Sequence, residues 1–107
     1  MVATLSDGAH AGCGECVPYA HYGESVDSVI AQIESMRDAL AQGMDRLELQ
    51  SRLPAGAARN ALDCAFWDYE AKSSGKPVWQ LAGLQKPGPL TTAYTLSLGD
   101  PESMRAA

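Results

Sequence analysis

An alanine-rich segment from Ala55 to Ser73 constrains the fold of this chain more than any other part of its sequence. Its apolar residues recur at the spacing of one helical face: Ala58, Ala61, Leu62, Ala65 and Tyr69. Alanine favours helix strongly and has a small side chain, so this stripe predicts a helix that packs closely against its neighbour. Gly75 and Pro77 end the predicted helix.

Residues 1 to 16 predict a β-hairpin. Val2 to Leu5 is β-prone, Asp7-Gly8 is a strong hairpin turn, and Ala11 to Cys16 returns as the second strand. Gly12 and Gly14 either weaken this strand or allow another backbone to approach it closely.

Two further helices are predicted between the hairpin and the alanine-rich segment. Ser25 is an N-cap residue, and Gly43 lies where a C-terminal cap belongs. Between them the apolar residues recur at helical spacing: Val26, Val29, Ile30, Ile33, Met36 and Leu40. Asp45 and Glu48 have capping-box spacing, which predicts a short helix to Arg52.

The last third of the chain predicts a strand that leads into a helix. Val78 to Ala82 is one helical turn, and Gly83 to Pro89 is a linker. Leu90 to Leu98 is β-prone, and Asp100-Pro101-Glu102 is a helix start. A lone strand cannot bury itself, so we expect the sequence to be cut within a βα unit.

His10, Cys13 and Cys16 have metal-ligating side chains, but their spacing argues against a zinc site. Alternate residues of a strand point to opposite faces, so His10 and Cys16 would face away from Cys13. Zinc takes four ligands, or three and a water, and no second Cys/His pair is present. A redox pair is disfavoured because Val17-Pro18 follows Cys16 where a helix should begin. We expect both cysteines to pack as apolar side chains.

The segment from Val17 to Glu24 is the candidate binding loop. It carries Tyr19, His21 and Tyr22, and aromatic rings with an imidazole on a loop are typical of a recognition surface. The alternative is that the tyrosines only fix the loop to the helices. Nothing in the sequence identifies a partner that would make His21 a general base.

Acidic residues on the predicted long helix are poor candidates for joint acid–base catalysis. Asp63 and Asp68 are five positions apart and do not share a helical face. Arg59 precedes Asp63 by four positions, a spacing that predicts an ion pair between them.

The composition is that of a small acidic globular protein. Of the 107 residues, 46% are hydrophobic and 20% are charged, and the net charge is −5. The absence of a basic cluster predicts no nucleic-acid partner. No apolar run approaches the roughly 20 residues that span a bilayer, and no signal-peptide pattern is visible, so no membrane association is expected. Three irregularly spaced cysteines favour reduced thiols in a cytoplasmic protein.

Four stretches of the sequence carry a family resemblance. Residues 12–25, GCGECVPYAHYGES, and residues 53–68, LPAGAARNALDCAFWD, resemble the second capping-domain loop and the long capping helix of dipeptide epimerases that act on L-Ala-D/L-Glu. Residues 75–83, GKPVWQLAG, and residues 92–95, TAYT, resemble the broader muconate-lactonizing-like subgroup of the enolase superfamily. The resemblance covers nearly the whole chain.

The resemblance implies an α+β fold: an incomplete enolase-like N-terminal capping domain, made of a β-hairpin followed by helices, plus the first strand of a (β/α) barrel. Residues 1–86 would form the capping domain without its first strands. Residues 87–107 would form the linker, the first barrel strand and the start of its helix. The active site of such a protein lies at the carboxyl ends of the barrel strands.

The resemblance also implies a chemistry, the inversion of the α-carbon of a dipeptide such as L-Ala-L-Glu. Two lysines move the α-proton, and Mg²⁺ held by acidic residues stabilises the enediolate. These groups belong to barrel strands beyond this chain, so we expect no catalytic residue and no metal ligand here, and no activity from the chain alone. The substrate contacts that the resemblance assigns to this chain are Thr95 and the loop residues Tyr19, His21 and Tyr22.

Two alternatives stay open. The parent could be another muconate-lactonizing-like enzyme, a cycloisomerase or an N-acylamino acid racemase. The chain could also be a capping-like binding module without catalysis. The expected partner is a small dipeptide, and the sequence leaves open which dipeptide is preferred and whether the full-length protein is a homo-oligomer.

Overall fold

The fold is a two-stranded antiparallel sheet followed by helices, in a computed structural model that describes residues 1–93, 95 and 98–106. The elements are β1 (Val2–Ser6), β2 (Ala11–Glu15), a 3-10 turn (Ala20–Tyr22), α1 (Val26–Ser35), α2 (Arg37–Ala41), α3 (Arg46–Arg52), α4 (Ala57–Ser74), α5 (Val78–Leu81) and α6 (Pro101–Ala106). The predicted α+β fold, a β-hairpin followed by helices, is confirmed.

The hairpin turn is built by the side chain of Asp7. Its Oδ1 accepts the backbone N–H groups of Ala9 and His10 at 2.8 and 2.7 Å. Gly8 lies at a φ of +90°, in the left-handed region that glycine adopts without steric cost. The turn sets the register, in which Val2 lies opposite Glu15.

The outer edge of β2 is covered by side chains from α4. Asp68 Oδ2 accepts the N–H of Cys13 at 2.8 Å, and Asn60 Nδ2 donates to the carbonyl of Glu15 at 3.1 Å. These bonds satisfy backbone groups of β2 that β1 leaves unpaired. Lys72 Nζ also donates to Asp68, and these bonds lower the pKa of that carboxyl.

The outer edge of β1 is open among the described residues. Met1 and Cys16 exchange reciprocal backbone bonds of 2.9 and 3.0 Å, and bonded pairs alternate along an antiparallel ladder. Val2, Thr4 and Ser6 therefore direct their backbone groups away from β2. The sheet has no third strand in the part of the chain that the structure describes.

Two glycines let β2 lie against the backbone of α4. A Cβ on Gly12 would stand 2.2 Å from the carbonyl oxygen of Ala65, and one on Gly14 would stand 1.9 Å from that of Ala61. The sequence left open whether these glycines weaken the strand or allow close approach, and the structure shows close approach. The alanine stripe of α4 is the other half of this contact, with Ala58, Ala61 and Ala65 fully buried.

The predicted helix between Ser25 and Gly43 is interrupted at Met36. Ser25 caps it as predicted, since its Oγ accepts the N–H of Ser28 while Ser28 Oγ accepts the N–H of Ser25. At the break, Ser35 Oγ donates to the carbonyl of Gln32, and the N–H of Met36 bonds three residues back to Ile33. A side-chain bond to the helix backbone and a turn that closes over three residues both bend a helix. Here the two together end α1.

The core lies between the hairpin, α1, α3 and α4. Its buried members are Ala3, Cys16, Val29, Met44, Leu49, Leu53, Ala57, Ala58, Ala61, Leu62 and Phe66. Ile33, Met36 and Leu40 from the predicted stripe of α1 and α2 pack against it, whereas Val26 and Ile30 are exposed.

The ion pair predicted between Arg59 and Asp63 is wrong. Arg59 Nη1 donates instead to the carbonyls of Gln50 and Leu53, and Asp63 Oδ1 accepts from Gln50 Nε2. Arg59 turns to the end of α3 because the carbonyls there lack intrahelical partners, whereas Asp63 accepts from a side-chain amide of α3.

The β-prone segment from Leu90 to Leu98 forms no strand over its described residues, 90–93, 95 and 98. A strand needs a hydrogen-bonded partner, and none lies beside these residues in the described part of the chain. Tyr94, Leu96 and Ser97 lie outside the described residues. The assignment of residues 87–107 to the start of a barrel stays a prediction, although Asp100 caps α6 as expected.

Candidate functional site

The aromatic residues of the predicted binding loop form one cluster. The ring of Tyr19 lies 5.8 Å from that of Tyr22 and 6.4 Å from that of His21, between ring centroids. His21 and Tyr22 are 5.2 Å apart with their planes at 74°, an edge-to-face arrangement that aromatic pairs prefer. The structure therefore brings all three predicted loop residues together.

These rings face solvent and do not fix the loop to the core. Tyr19 is 57% exposed and Tyr22 is 77% exposed, and His21 is also exposed. A tyrosine that served only to hold the loop against the helices would be buried against them. The exposure leaves the rings accessible to a ligand, and the assignment of the loop to substrate recognition stays a prediction.

The loop backbone closes on itself through a short turn. The carbonyl of Tyr19 accepts the N–H groups of Tyr22 at 2.9 Å and Glu24 at 3.4 Å, and Gly23 donates to Ala20 at 3.0 Å. Gly23 has a φ of +74°, which a residue with a Cβ rarely adopts. The rings are thus presented on a turn that its own backbone bonds close.

Glu24 joins this turn to the long helix α4. Its Oε1 accepts the N–H of Ala57 at 2.6 Å, and its Oε2 accepts the N–H of Tyr19 at 3.1 Å. The sequence identified Glu24 only as the last residue of the candidate loop. The signal that could have identified it is Gly56, which stands at the N-cap of an 18-residue helix without a capping side chain and so requires an outside acceptor.

Thr95, the other predicted substrate contact, is exposed in the segment between α5 and α6. Among the described residues no hydrogen bond joins it to the aromatic loop. Its role therefore stays a prediction.

The cysteines and His10 do not form a site. Cys16 is buried, and burial raises the pKa of its thiol, whereas Cys13 is exposed on the other face of β2. The expectation that both cysteines pack as apolar side chains is thus correct for Cys16 and wrong for Cys13.

Over residues 1–93, 95 and 98–106, no group of three or more His, Cys, Asp or Glu side chains could hold a metal ion. These residues do not fit a magnesium site.

A cleft with a volume of about 770 Å³ lies beside β1. Its walls are largely apolar, with Leu5, Ile33, Leu40, Leu62 and Phe66 among the lining residues. Charged residues also line it, among them Asp7, Glu34, Arg37 and Glu70, but the aromatic loop does not. None of the described helices combines the length and apolar character needed to cross a membrane.

The chain is similar to curated epimerases and racemases. It is 47% identical over 97% of its length to the L-Ala-D/L-Glu epimerase of Escherichia coli (strain K12), and it spans 32% of that protein. It is 39% identical over its whole length to the N-acetyl-D-glutamate racemase of a Pseudoalteromonas species, of which it spans 34%. The chain thus covers about a third of these relatives.

Solved structures give the same result and confirm the resemblance to dipeptide epimerases. One is an enolase family member from Agrobacterium tumefaciens with homology to dipeptide epimerases, with bound sodium and L-Ala-L-Glu and an ordered loop. It matches with a TM-score of 0.84 and 55% identity over 98% of this chain and 32% of that one. An L-Ala-D/L-Glu epimerase structure matches with a TM-score of 0.81 and 48% identity over 96% of this chain and 32% of that one.

The family assignment rests on residues 2–83, which run from the start of β1 to two residues beyond α5 and match one family model. They include the hairpin, the aromatic loop and the long helix to which Glu24 binds. The chain belongs to the family of the mandelate racemase / muconate lactonizing enzyme N-terminal domain.

Proposed function

We propose that this chain is the capping part of a longer enzyme that epimerises a dipeptide such as L-Ala-L-Glu at the glutamyl α-carbon. The observation that carries the proposal is the exposed three-ring loop, on a chain 55% identical to a structure that holds L-Ala-L-Glu. Its 32% coverage of that structure supports a longer parent.

Epimerisation requires a base to remove the α-proton and an acid to return a proton to the opposite face. In our proposal two barrel lysines outside this chain would do this, and a Mg²⁺ ion held by acidic residues there would supply positive charge beside the substrate. The residues of this chain bind and orient the substrate and exclude water from it. Such positioning is a large part of catalysis because it removes the entropic cost of alignment.

Within this scheme Tyr19, His21 and Tyr22 shape the specificity for the end of the substrate remote from the reacting carbon. Thr95 contacts the substrate from the end of the first barrel strand. An exposed ring cluster provides contact area at low conformational cost, and one such contact changes kcat/KM by roughly 10- to 200-fold.

The loop assignment is tested with Tyr19→Ala and His21→Ala in the whole protein that carries this chain, assayed on several dipeptides. We expect kcat/KM to fall by different factors for different dipeptides, mainly through KM where the contact is equal in ground and transition states. A common factor for every dipeptide, or a lower melting temperature alone, would mean that the loop is scaffold.

A second candidate function is racemisation of an N-acylated amino acid. The Pseudoalteromonas relative, an N-acetyl-D-glutamate racemase, supports it at 39% identity over the whole chain. Both candidate substrates are glutamates whose amino nitrogen carries an acyl group, alanyl in one and acetyl in the other. They differ at the remote end, where we place the aromatic loop.

Deuterium incorporation at the glutamyl α-carbon distinguishes the candidates. The whole protein with Mg²⁺ in D₂O is followed by proton NMR on L-Ala-L-Glu and on N-acetyl-L-glutamate. We expect faster exchange on the dipeptide, and the reverse order would favour the racemase. The 107-residue chain alone is expected to show no exchange on either substrate. Absence of exchange with the whole protein on both would favour a non-catalytic binding module.

A further inference from the structure

Glu24 uses both oxygens of its carboxylate to join two separate parts of the chain. One oxygen accepts the first helical N–H of α4, from Ala57, and the other accepts the N–H of Tyr19 in the aromatic loop. Carboxylates accept at both oxygens, whereas an amide side chain has one acceptor and one donor. The two bonds thus require a carboxylate in this position.

The N-terminus of α4 is shaped to receive this carboxylate. Gly56 has no side chain, and a Cβ on it would stand 2.7 Å from Glu24 Oε1. The helix presents unpaired N–H groups and the positive end of its dipole there, which favour a negative charge. Glu24, 33 positions before Ala57, takes the place of the missing capping side chain.

The bond to Ala57 decides where the ring cluster sits relative to the helix. The turn from Tyr19 to Glu24 is closed by its own backbone bonds and carries all three rings. Over the described part of the chain, the Glu24–Ala57 bond is the one hydrogen bond that joins residues 17–24 to another element. Releasing it would let the turn shift as a body while leaving its internal structure intact.

We propose that Glu24 is a positioning residue that fixes the aromatic loop over the substrate by fastening it to α4. This rests on the proposed function, because it assigns the placement of the rings to a residue that does not itself contact substrate. A displacement of about 1 Å at a substrate-orienting group can lower a rate by about 100-fold, so a single fastening bond matters.

Two substitutions release the fastening in different ways. Glu24→Gln keeps the size of the side chain but can accept only one of the two N–H groups. Gly56→Ala keeps the charge and pushes the flexible end of Glu24 away from Ala57. In the whole protein we expect each to change the ratio of kcat/KM between L-Ala-L-Glu and N-acetyl-L-glutamate by about tenfold. The double variant should change it no further, because both remove the same bond.

Two control substitutions separate the effect of releasing Glu24 from the effects of losing a charge or adding a methyl group. Glu15→Gln removes the same charge next to the loop, from a side chain that makes no hydrogen bond with another described residue, and should leave the ratio unchanged. Gly88→Ala adds the same methyl group where nothing lies within 4 Å. If Glu24→Gln lowers the melting temperature but leaves the substrate ratio as in Glu15→Gln, Glu24 is only a helix cap and the proposal is overturned.

A readout on the 107-residue chain is independent of activity. In the native chain we expect the amides of Tyr19 and Ala57 to be protected from hydrogen exchange, and Glu24→Gln to increase exchange at one or both by about tenfold or more. The amides within α4 beyond its first turn should not change. If the exchange rates of both amides are unchanged in Glu24→Gln, Glu24 does not fasten the loop to α4. That conclusion holds even if the parent enzyme proves to be a dipeptide epimerase. Loss of protection in a protein without epimerase activity would instead contradict the proposed function alone.

Discussion

Single side chains decide the local geometry of this chain, and Asp7 is the clearest case. Its carboxylate accepts two backbone N–H groups in the hairpin turn and the hydroxyl of Tyr69 at 2.9 Å. The bonds from His10 and Ala9, and then that from Tyr69, lower the pKa of Asp7 from 3.8 to about 2. The hydrogen bond between Tyr69 and Asp7 also raises the pKa of the Tyr69 hydroxyl. One residue thus ties the turn to the far end of α4.

We therefore expect Asp7→Asn to lower the free energy of unfolding at neutral pH and to lose this effect in acid. A carboxyl with a lowered folded-state pKa stabilises the fold above its unfolded pKa, and this contribution disappears as the pH falls from about 4 to about 2. Urea unfolding of both proteins at several pH values measures the difference. A difference that persists unchanged at pH 2 would show that the carboxylate charge is not the cause.

Local residue patterns were sufficient to predict the caps but not the bonds that join distant segments. Ser25 and Asp45 cap their helices as the sequence predicts, because the partners lie three positions away. Glu24 reaches Ala57 across 33 positions, and no local pattern encodes that pairing. Arg59 was paired with the wrong partner for the same reason, since the carbonyls it meets belong to α3.

At the scale of elements, the contact between β2 and α4 organises the fold. Both elements and the small residues between them are predictable, since alanine stripes and strand glycines are visible in the sequence. The bonds by which Asp68 and Asn60 of the helix complete the backbone pairing of the strand are not predictable in this way. That arrangement depends on the angle at which the two elements cross, which the sequence pattern does not specify.

We expect Gly14→Ala to destabilise the chain by about 1–3 kcal/mol or more, because the added methyl group meets backbone that cannot move aside. The Cβ would stand 1.9 Å from the carbonyl oxygen of Ala61. Gly88→Ala is the matched control and should change the free energy of unfolding by less than about 0.5 kcal/mol. Equal effects from the two substitutions, measured by urea unfolding, would mean that the strand and helix are less closely packed than the structure indicates.

The molecule as a whole has one covered and one open sheet edge. α4 covers the outer edge of β2, while Val2, Thr4 and Ser6 leave the outer edge of β1 without a partner among the described residues. Leu90 and Leu98, in the β-prone segment, are 81% and 96% exposed. Open edges and exposed apolar residues promote pairing between chains.

We expect the 107-residue chain to self-associate, with an average mass in sedimentation equilibrium that rises with concentration. Thr4→Pro removes an outward N–H group from β1 and keeps the backbone bonds to β2, and should weaken association through that edge. Thr4→Val is its control, because it keeps the N–H group and, like proline, lacks the hydroxyl that contacts Cys13 Sγ at 3.6 Å. Association that is unaffected by Thr4→Pro would point to residues 90–98, and a monomer at every concentration would contradict the prediction.

The bond between Cys13 and Asp68 joins residues 55 positions apart, and this separation has a consequence for synthesis. Ribosomes add roughly 5–20 residues per second, so the hairpin is made on the order of 3–10 seconds before the helix that covers it. A two-stranded hairpin alone is at best marginally stable in water. The nascent chain therefore carries an unprotected, glycine-containing strand for seconds, which is long enough for a ribosome-bound chaperone to engage it before α4 arrives.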